Sequence, residues 1–223
     1  MAIPPVESFA RMWVYTEIYA EAAERGYSEY LALSKSINEF TDVEYDEQLE
    51  LYKHNRLVAG MQTIVFSAMC FEAAIYDFAA IHLGDNYVRK HIDKLDVISK
   101  WILVLRFVAD VEIPKDQAPY CTFKNLITYR NRLVHAKSEK FNIEQEERLR
   151  EKMSKRNQEY ERNVHNAIRA LILMSLYLDN TLDGYVNPLP SYNGQNAPMR
   201  RYYPVLKEVI DECQKIISPL VSE

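Results

Sequence analysis

Apolar residues recur along this chain at the three- and four-residue spacing of amphipathic helices, and no segment alternates as a half-buried strand would. The spacing predicts a long helix over 45–83 whose second half is apolar on nearly every side, which places it at the centre of a bundle. Further helices are predicted over 6–24, 28–40, 93–109, 123–136 and 143–181 and from Pro204 onwards. We therefore expect an all-α protein, a single helical domain over 1–223, with Gly26 and Gly84 as helix ends.

The composition argues against several classes of protein. Five glycines in 223 residues disfavour Gly-rich phosphate loops and an all-β fold. The three cysteines lie far apart and form no C-x-x-C pair, which favours a reducing compartment. The N-terminal residues do not resemble a signal peptide, and the longest uncharged run, 57–71, is too short to span a membrane. We expect a soluble, cytoplasmic protein without a membrane partner.

The charge is unevenly distributed. A net charge of −5 disfavours general nucleic-acid binding. However, residues 1–50 carry 11 acidic and 3 basic side chains, whereas residues 124–169 carry 12 basic and 7 acidic ones. This asymmetry allows a basic surface on an acidic protein, and we expect the acidic N-terminal region to lie away from any phosphate-binding site. The alternative is that long helices simply carry mixed charges on their solvated faces.

One arginine lies in the middle of an apolar helix face. On a wheel at about 100° per residue, Arg130 is at the centre of the apolar stripe of helix 123–136. The stripe consists of Phe123, Leu126, Ile127, Leu133 and Val134. A neighbouring polar face consists of Lys124, Thr128, Asn131 and His135. Because a guanidinium keeps its charge when buried, Arg130 requires a carboxylate, a phosphate or a second subunit as its partner.

The segment 129–136, YRNRLVHA, resembles the R-x(4–6)-H signature of the HEPN superfamily, including the polar Asn131 directly after the arginine. The segment 71–74, FEAA, is similar to the helix that packs beside the motif in many such proteins. The resemblance covers residues 45–180. It implies a HEPN-like antiparallel helical bundle with additional N- and C-terminal helices. The additions are the acidic helices over 6–40 and the Pro-rich loop with the last helix over 183–221.

The resemblance also implies a function, that of a metal-independent endoribonuclease. Such a protein would act on RNA as a homodimer and would need no cofactor or metal. It would belong to a toxin or phage-defence system, in which a protein antitoxin or another protein could be its partner. Arg130, Asn131 and His135 would be its catalytic residues, and Lys124, Arg132 and Glu72 would contribute to substrate binding.

The chemistry of these side chains fits that reaction. In metal-free RNA cleavage the 2′-hydroxyl attacks the adjacent phosphorus, which requires proton transfer and stabilisation of negative charge. His135 lies near a helix C-terminus, where the dipole favours its protonated form and an acid role. Arg130 can bind phosphate with two parallel hydrogen bonds, and Asn131 can orient either group. Arg130 and His135 are about 140° apart around the helix, so two helices facing each other across a dimer form the site more easily than one.

A structural role for the motif is the alternative. Glu72 lies in the least polar part of the chain and requires a cation, so Arg130 is its natural partner, and His135 would then only cap a helix. On this interpretation the chain is a non-catalytic HEPN-like interaction or nucleotide-sensing module. Arg130 and His135 accessible in one cleft would favour the nuclease, and an Arg130 sealed against Glu72 would favour the module.

The remaining candidate chemistry is weak. His54, His82, His91 and His165 show no metal-ligand spacing, so we predict no metal site. The 16 tyrosines are scattered, which is typical of residues at the edge of a core rather than of a base-stacking surface.

Overall fold

The computed structural model describes residues 11–12, 14–40, 47–138, 140, 146–193 and 203–220, and these residues form seven α-helices and no strand. The helices are α1 (Thr16–Glu39), α2 (Glu47–Leu83), α3 (Asp85–Tyr87), α4 (Val97–Ala109), α5 (Ala118–Val134), α6 (Glu146–Thr181) and α7 (Leu206–Ile217). A π-helical turn (Val88–Ile92) follows α3, and a 3-10 turn (Ser218–Leu220) follows α7. The predicted all-α class is confirmed. The predicted helix starts at 6, 45 and 143 lie outside the described residues.

α1 is one continuous helix, so the prediction that Gly26 separates two helices is wrong. Gly26 is buried where α1 meets α2. A Cβ atom at this position would lie 2.9 Å from the carbonyl oxygen of Ala59 and 3.0 Å from Oγ1 of Thr63. The glycine therefore permits a close approach of the two helices, whose interface is the most extensive among the described elements.

α2 is the central helix of the bundle, as its apolar pattern predicts. It contacts α1, α4, α5 and α6. The rings of Phe71 and Phe123 lie 4.6 Å apart, and the Trp101 ring lies 5.6 Å from Phe71. The indole Nε1 of Trp101 also donates a hydrogen bond of 3.1 Å to the carbonyl oxygen of Phe71. These buried rings join α2, α4 and α5, and they fix the position of the helix that carries Arg130.

By length and composition alone, α2 could also cross a membrane. However, 56% of its most apolar 18-residue window is buried inside the protein. Such burial is typical of the core helix of a bundle, whose apolar surface is covered by neighbouring helices rather than by lipid.

The chain after α6 folds back onto the bundle. The side-chain amide of Asn187 donates hydrogen bonds to the carboxylate of Asp179 (2.7 Å) and to the carbonyl oxygen of Ser175 (2.9 Å). The hydroxyl of Tyr192 donates a buried hydrogen bond of 2.8 Å to Glu24 of α1. Residues 183–193 are thereby fastened to α6 and α1.

Candidate functional site

The motif lies at the C-terminal end of α5. This helix begins with Pro119 in its first turn, a position at which the missing N–H costs no hydrogen bond. It remains helical through Val134, and His135 is its C-cap residue. The backbone N–H of His135 donates a hydrogen bond of 3.1 Å to the carbonyl oxygen of Asn131. The apolar stripe is buried at Phe123, Leu126 and Ile127, but Val134, which the pattern places on the same stripe, is 55% exposed.

Arg130 is held by Glu72 of α2. Its Nη2 donates a hydrogen bond of 3.2 Å to Oε2 of Glu72, the partner that the structural alternative for the motif predicts. The arginine side chain is 20% exposed and that of Glu72 is 47% exposed. The Nε of Arg130 is buried and has no hydrogen-bond partner in the part of the chain that the structure describes. The guanidinium is thus anchored at one nitrogen without being sealed from solvent.

His135 and Asn131 are both exposed. Because α5 stays helical up to Val134, the side chains of Arg130 and His135 leave it in directions roughly 140° apart. A single copy of α5 therefore does not aim both groups at one phosphate.

The remaining predicted substrate-binding residues occupy different parts of the helix. Lys124 is exposed, but it lies 11 positions before His135, roughly 16 Å along the helix axis. Arg132 is exposed and forms a two-pronged contact with Glu159 of α6, at 2.8 and 3.0 Å. These hydrogen bonds from Arg132 hold the pKa of Glu159 below its ordinary value. Lys124 could contact only a phosphate distant from the one at His135.

Exposed bases are frequent along the chain that follows α5 and along the first half of α6, where exposed acids are also present. The exposed basic residues on this part of the chain include Lys137, Lys140, Lys155 and Arg156. They belong to the segment 124–169, in which basic residues outnumber acidic ones. Such a surface attracts a polyanion even though the protein as a whole is acidic.

Glu72 also lines a cavity on the side of α2 towards α1. Tyr15 and Tyr19, from the N-terminal region, line the same cavity, whereas no acidic residue of 14–40 does. Glu44 and Asp46 lie outside the described residues. Within the described ranges, no three His, Cys, Asp or Glu side chains are grouped as a metal site would require.

Comparisons of the chain with protein-family models, with curated proteins and with solved structures gave no match. The resemblance of the motif to the HEPN superfamily therefore stays a hypothesis that rests on the motif residues themselves.

Two features of this region escaped the sequence analysis. Glu159 accepts hydrogen bonds from Nη1 and Nη2 of Arg132 from 27 positions away, and no local pattern indicates that pairing. Lys100 lies opposite the apolar stripe of its helix, so the sequence pattern predicts that it is exposed, yet its side chain is only 5% exposed.

Proposed function

We propose that this protein is a metal-independent endoribonuclease that acts as a homodimer, with Arg130 and His135 as its catalytic residues. The observation that carries the proposal is an arginine on an apolar helix face whose side chain is still 20% exposed, followed five positions later by an exposed histidine at the helix end. The exposed bases that follow this helix along the chain are the second support, because RNA binding requires local positive charge.

The proposed reaction needs only proton transfers and charge stabilisation. The 2′-oxygen bonds to the adjacent phosphorus and loses its proton, while the bond from phosphorus to the 5′-oxygen breaks and that oxygen gains a proton. In a two-fold dimer, His135 of one copy accepts the first proton and His135 of the other supplies the second. Arg130 binds the phosphate oxygens on which negative charge accumulates, and Asn131 orients the phosphate.

Glu72 holds the guanidinium in position before RNA binds. Because its carboxylate is nearly half exposed, the ion pair with Arg130 is worth little more than a surface pair, on the order of 1 kcal/mol. A phosphate, which offers two acceptors to the planar guanidinium, can replace it.

The dimer explains a further feature of α5. Val134 lies on the apolar stripe between Arg130 and His135, and it is exposed in the single copy. Pairing of two α5 ends would cover this side chain and bring the two motifs into one cleft.

Product chemistry tests this proposal. Purified protein is incubated with a mixed RNA pool in the presence of EDTA, and the new ends are analysed. The proposal predicts RNA products with 2′,3′-cyclic phosphate and 5′-hydroxyl ends. The yield of these products should fall strongly with Arg130→Lys. It should be unchanged with the control Lys53→Arg, which keeps the charge at an exposed position near the start of α2. Cleavage that stops in EDTA, or 5′-phosphate ends, would contradict it.

A non-catalytic interaction or nucleotide-sensing module is the second candidate, and the ion pair between Arg130 and Glu72 favours it. On that hypothesis the pair fixes α5 against α2, and His135 serves only to end the helix. An Arg130→Ala variant that unfolds and a wild type that cleaves no RNA would support the module.

A further inference from the structure

A cavity of about 410 Å³ lies between the start of α1, the middle of α2 and the region of α4. Its volume is within the range of small-molecule sites in proteins. The apolar and aromatic part of its wall consists of Met12, Tyr15, Tyr19, Met69 and Tyr76. The rings of Tyr15 and Tyr19 are stacked, with centroids 5.8 Å apart and planes 28° apart. A wall of this kind suits a flat ring, because tyrosine faces stack on planar groups.

Lys100 provides a buried positive charge in the same cavity. Its side chain is 5% exposed, and its Nζ lies 3.4 Å from Oδ1 of Asp93, near the limit of a hydrogen bond. The carboxylate of Asp93 is itself 52% exposed. An ammonium has three N–H donors, so one long contact with a half-solvated carboxylate satisfies it poorly.

The other cation of the cavity is already satisfied. Nε of Arg11 lies 3.3 Å from the carboxylate of Asp77, and Nη2 lies 3.0 Å from that of Asp85. Glu72 is engaged by Arg130. Three carboxylates also line the cavity, but each of them lies beside a cation, and of the two cations among the described lining residues Lys100 has the greater remaining capacity to bind an anion.

We propose that this cavity binds a small planar molecule that carries a carboxylate or phosphate group. Its anionic group contacts Nζ of Lys100, and its ring lies against Tyr19 and Tyr76. This binding site shares Glu72 with the proposed cleavage site, but binding of the small molecule does not require RNA cleavage.

Calorimetric titration of the full chain without RNA tests the proposal. The two anionic probes are indole-3-acetate, a planar ring with a carboxylate on a methylene group, and uridine monophosphate, a planar base with a phosphate on its ribose. Indole and inorganic phosphate, each offering only the ring or only the anion, are the reference compounds. We expect at least one of the anionic ring compounds to bind with a submillimolar dissociation constant, and more tightly than indole or inorganic phosphate. Which of the two binds identifies the source of the anion.

Substitutions then locate the site. Lys100→Met keeps most of the side-chain stem, removes the charge and should weaken binding at least tenfold. Lys94→Met removes an exposed lysine that does not line the cavity and should leave binding unchanged. Tyr76→Leu removes an aromatic ring from the cavity wall and should also weaken binding at least tenfold. This variant provides the test if the Lys100→Met protein does not fold. The proposal is overturned if neither anionic compound has a dissociation constant below 1 mM, which corresponds to a binding free energy on the order of −4 kcal/mol. It is also overturned if the folded cavity variants bind these compounds as tightly as the wild type does.

Discussion

Glu72, in the middle of α2, and Arg130, on the last turns of α5, are joined by a hydrogen bond of 3.2 Å across 58 positions of sequence. The pair lies at the edge of the core, directly beyond the buried contact between Phe71 and Phe123. The arginine is thus held at a fixed place while 20% of its side chain remains exposed. This arrangement suits a group that exchanges a protein carboxylate for a phosphate.

Glu72→Gln should weaken that anchor without removing a hydrogen-bond acceptor. We expect a loss of about 1 kcal/mol in the free energy of unfolding, because the pair is partly solvated. RNA should bind more tightly, since phosphate no longer competes with a carboxylate for Arg130. Urea denaturation and fluorescence anisotropy with labelled RNA measure the two effects.

Glu21→Gln is the control for this variant. Glu21 pairs with Arg25 at 2.9 Å on α1, outside the segment 124–169. Its substitution should leave RNA affinity unchanged. Equal RNA affinity of Glu72→Gln and the wild type would show that the anchor of Arg130 does not compete with phosphate.

The structural alternative for the motif predicted this pairing, and it did so for a physical reason. A charged arginine at the centre of an apolar stripe requires a counterion, and Glu72 was the carboxylate in the least polar part of the chain. The degree of exposure was not predictable, because it depends on how neighbouring helices cover the pair. The same holds for Val134: helical periodicity places it on the buried stripe, but α5 ends there and no described helix covers it.

Helix boundaries were predicted well where the chain carries a local signal and poorly where tertiary contact decides. Gly84 does end α2, and its positive φ of 84° is a backbone conformation that favours glycine. Gly26 was misassigned because a glycine required for close helix packing looks the same in the sequence as one that ends a helix. α4 begins at Val97 rather than at 93, because Asp96 caps it by accepting a hydrogen bond of 3.0 Å from the N–H of Ser99.

Val134→Glu should disrupt the proposed dimer. The side chain is 55% exposed in the single copy, so a carboxylate is tolerated there by the folded monomer but is costly in an apolar interface. We expect light scattering to give the mass of a dimer for the wild type at micromolar concentration and of a monomer for the variant. Val186→Glu, at a valine 86% exposed on the loop after α6, should remain dimeric. A monomeric wild type would rule out the composite site.

Gly60→Ala should destabilise the bundle. A Cβ at this position would collide with the hydroxyl of Tyr160 and lie 2.8 Å from Cγ2 of Val164, so α2 and α6 would have to move apart. We expect a loss of about 1–3 kcal/mol in the free energy of unfolding, measured by urea denaturation. Ser154→Ala, at an exposed position of α6, should change stability little, because alanine favours a helix. A Gly60→Ala protein as stable as the wild type would contradict the close packing at this crossing.

His165 should make stability depend on pH. Its ring lies between Tyr27 and Tyr30, and its Nδ1 forms a hydrogen bond of 2.8 Å with the Tyr27 hydroxyl. Although His165 as a whole is exposed, its contacts with the two tyrosine rings partly desolvate the imidazole, which lowers its pKa below the ordinary value of 6.5. The unfolded chain therefore takes up the proton first as the pH falls, so the stabilising contribution is complete above about pH 6.5 and is lost below it.

Denaturation curves of His165→Asn between pH 7.5 and pH 5 test this effect. The variant should show a smaller loss of stability over that interval than the wild type. His91→Asn, an exposed histidine outside the bundle core, should follow the wild-type curve. If His165→Asn has the same pH dependence of stability as the wild type, protonation of His165 does not cause that dependence.

The cleavage rate of His135→Ala is the most direct test of the proposed nuclease. His135 is exposed at the end of α5, so the variant should fold and pair as the wild type does, and circular dichroism and light scattering verify both. With a defined RNA in EDTA at saturating protein, we predict a single-turnover rate at least about 100-fold below that of the wild type, the usual effect of losing a general acid or base. His54→Ala, at an exposed histidine on α2, should cleave at the wild-type rate. A His135→Ala protein that cleaves as fast as the wild type, or a wild type that cleaves no RNA, would contradict the proposed function.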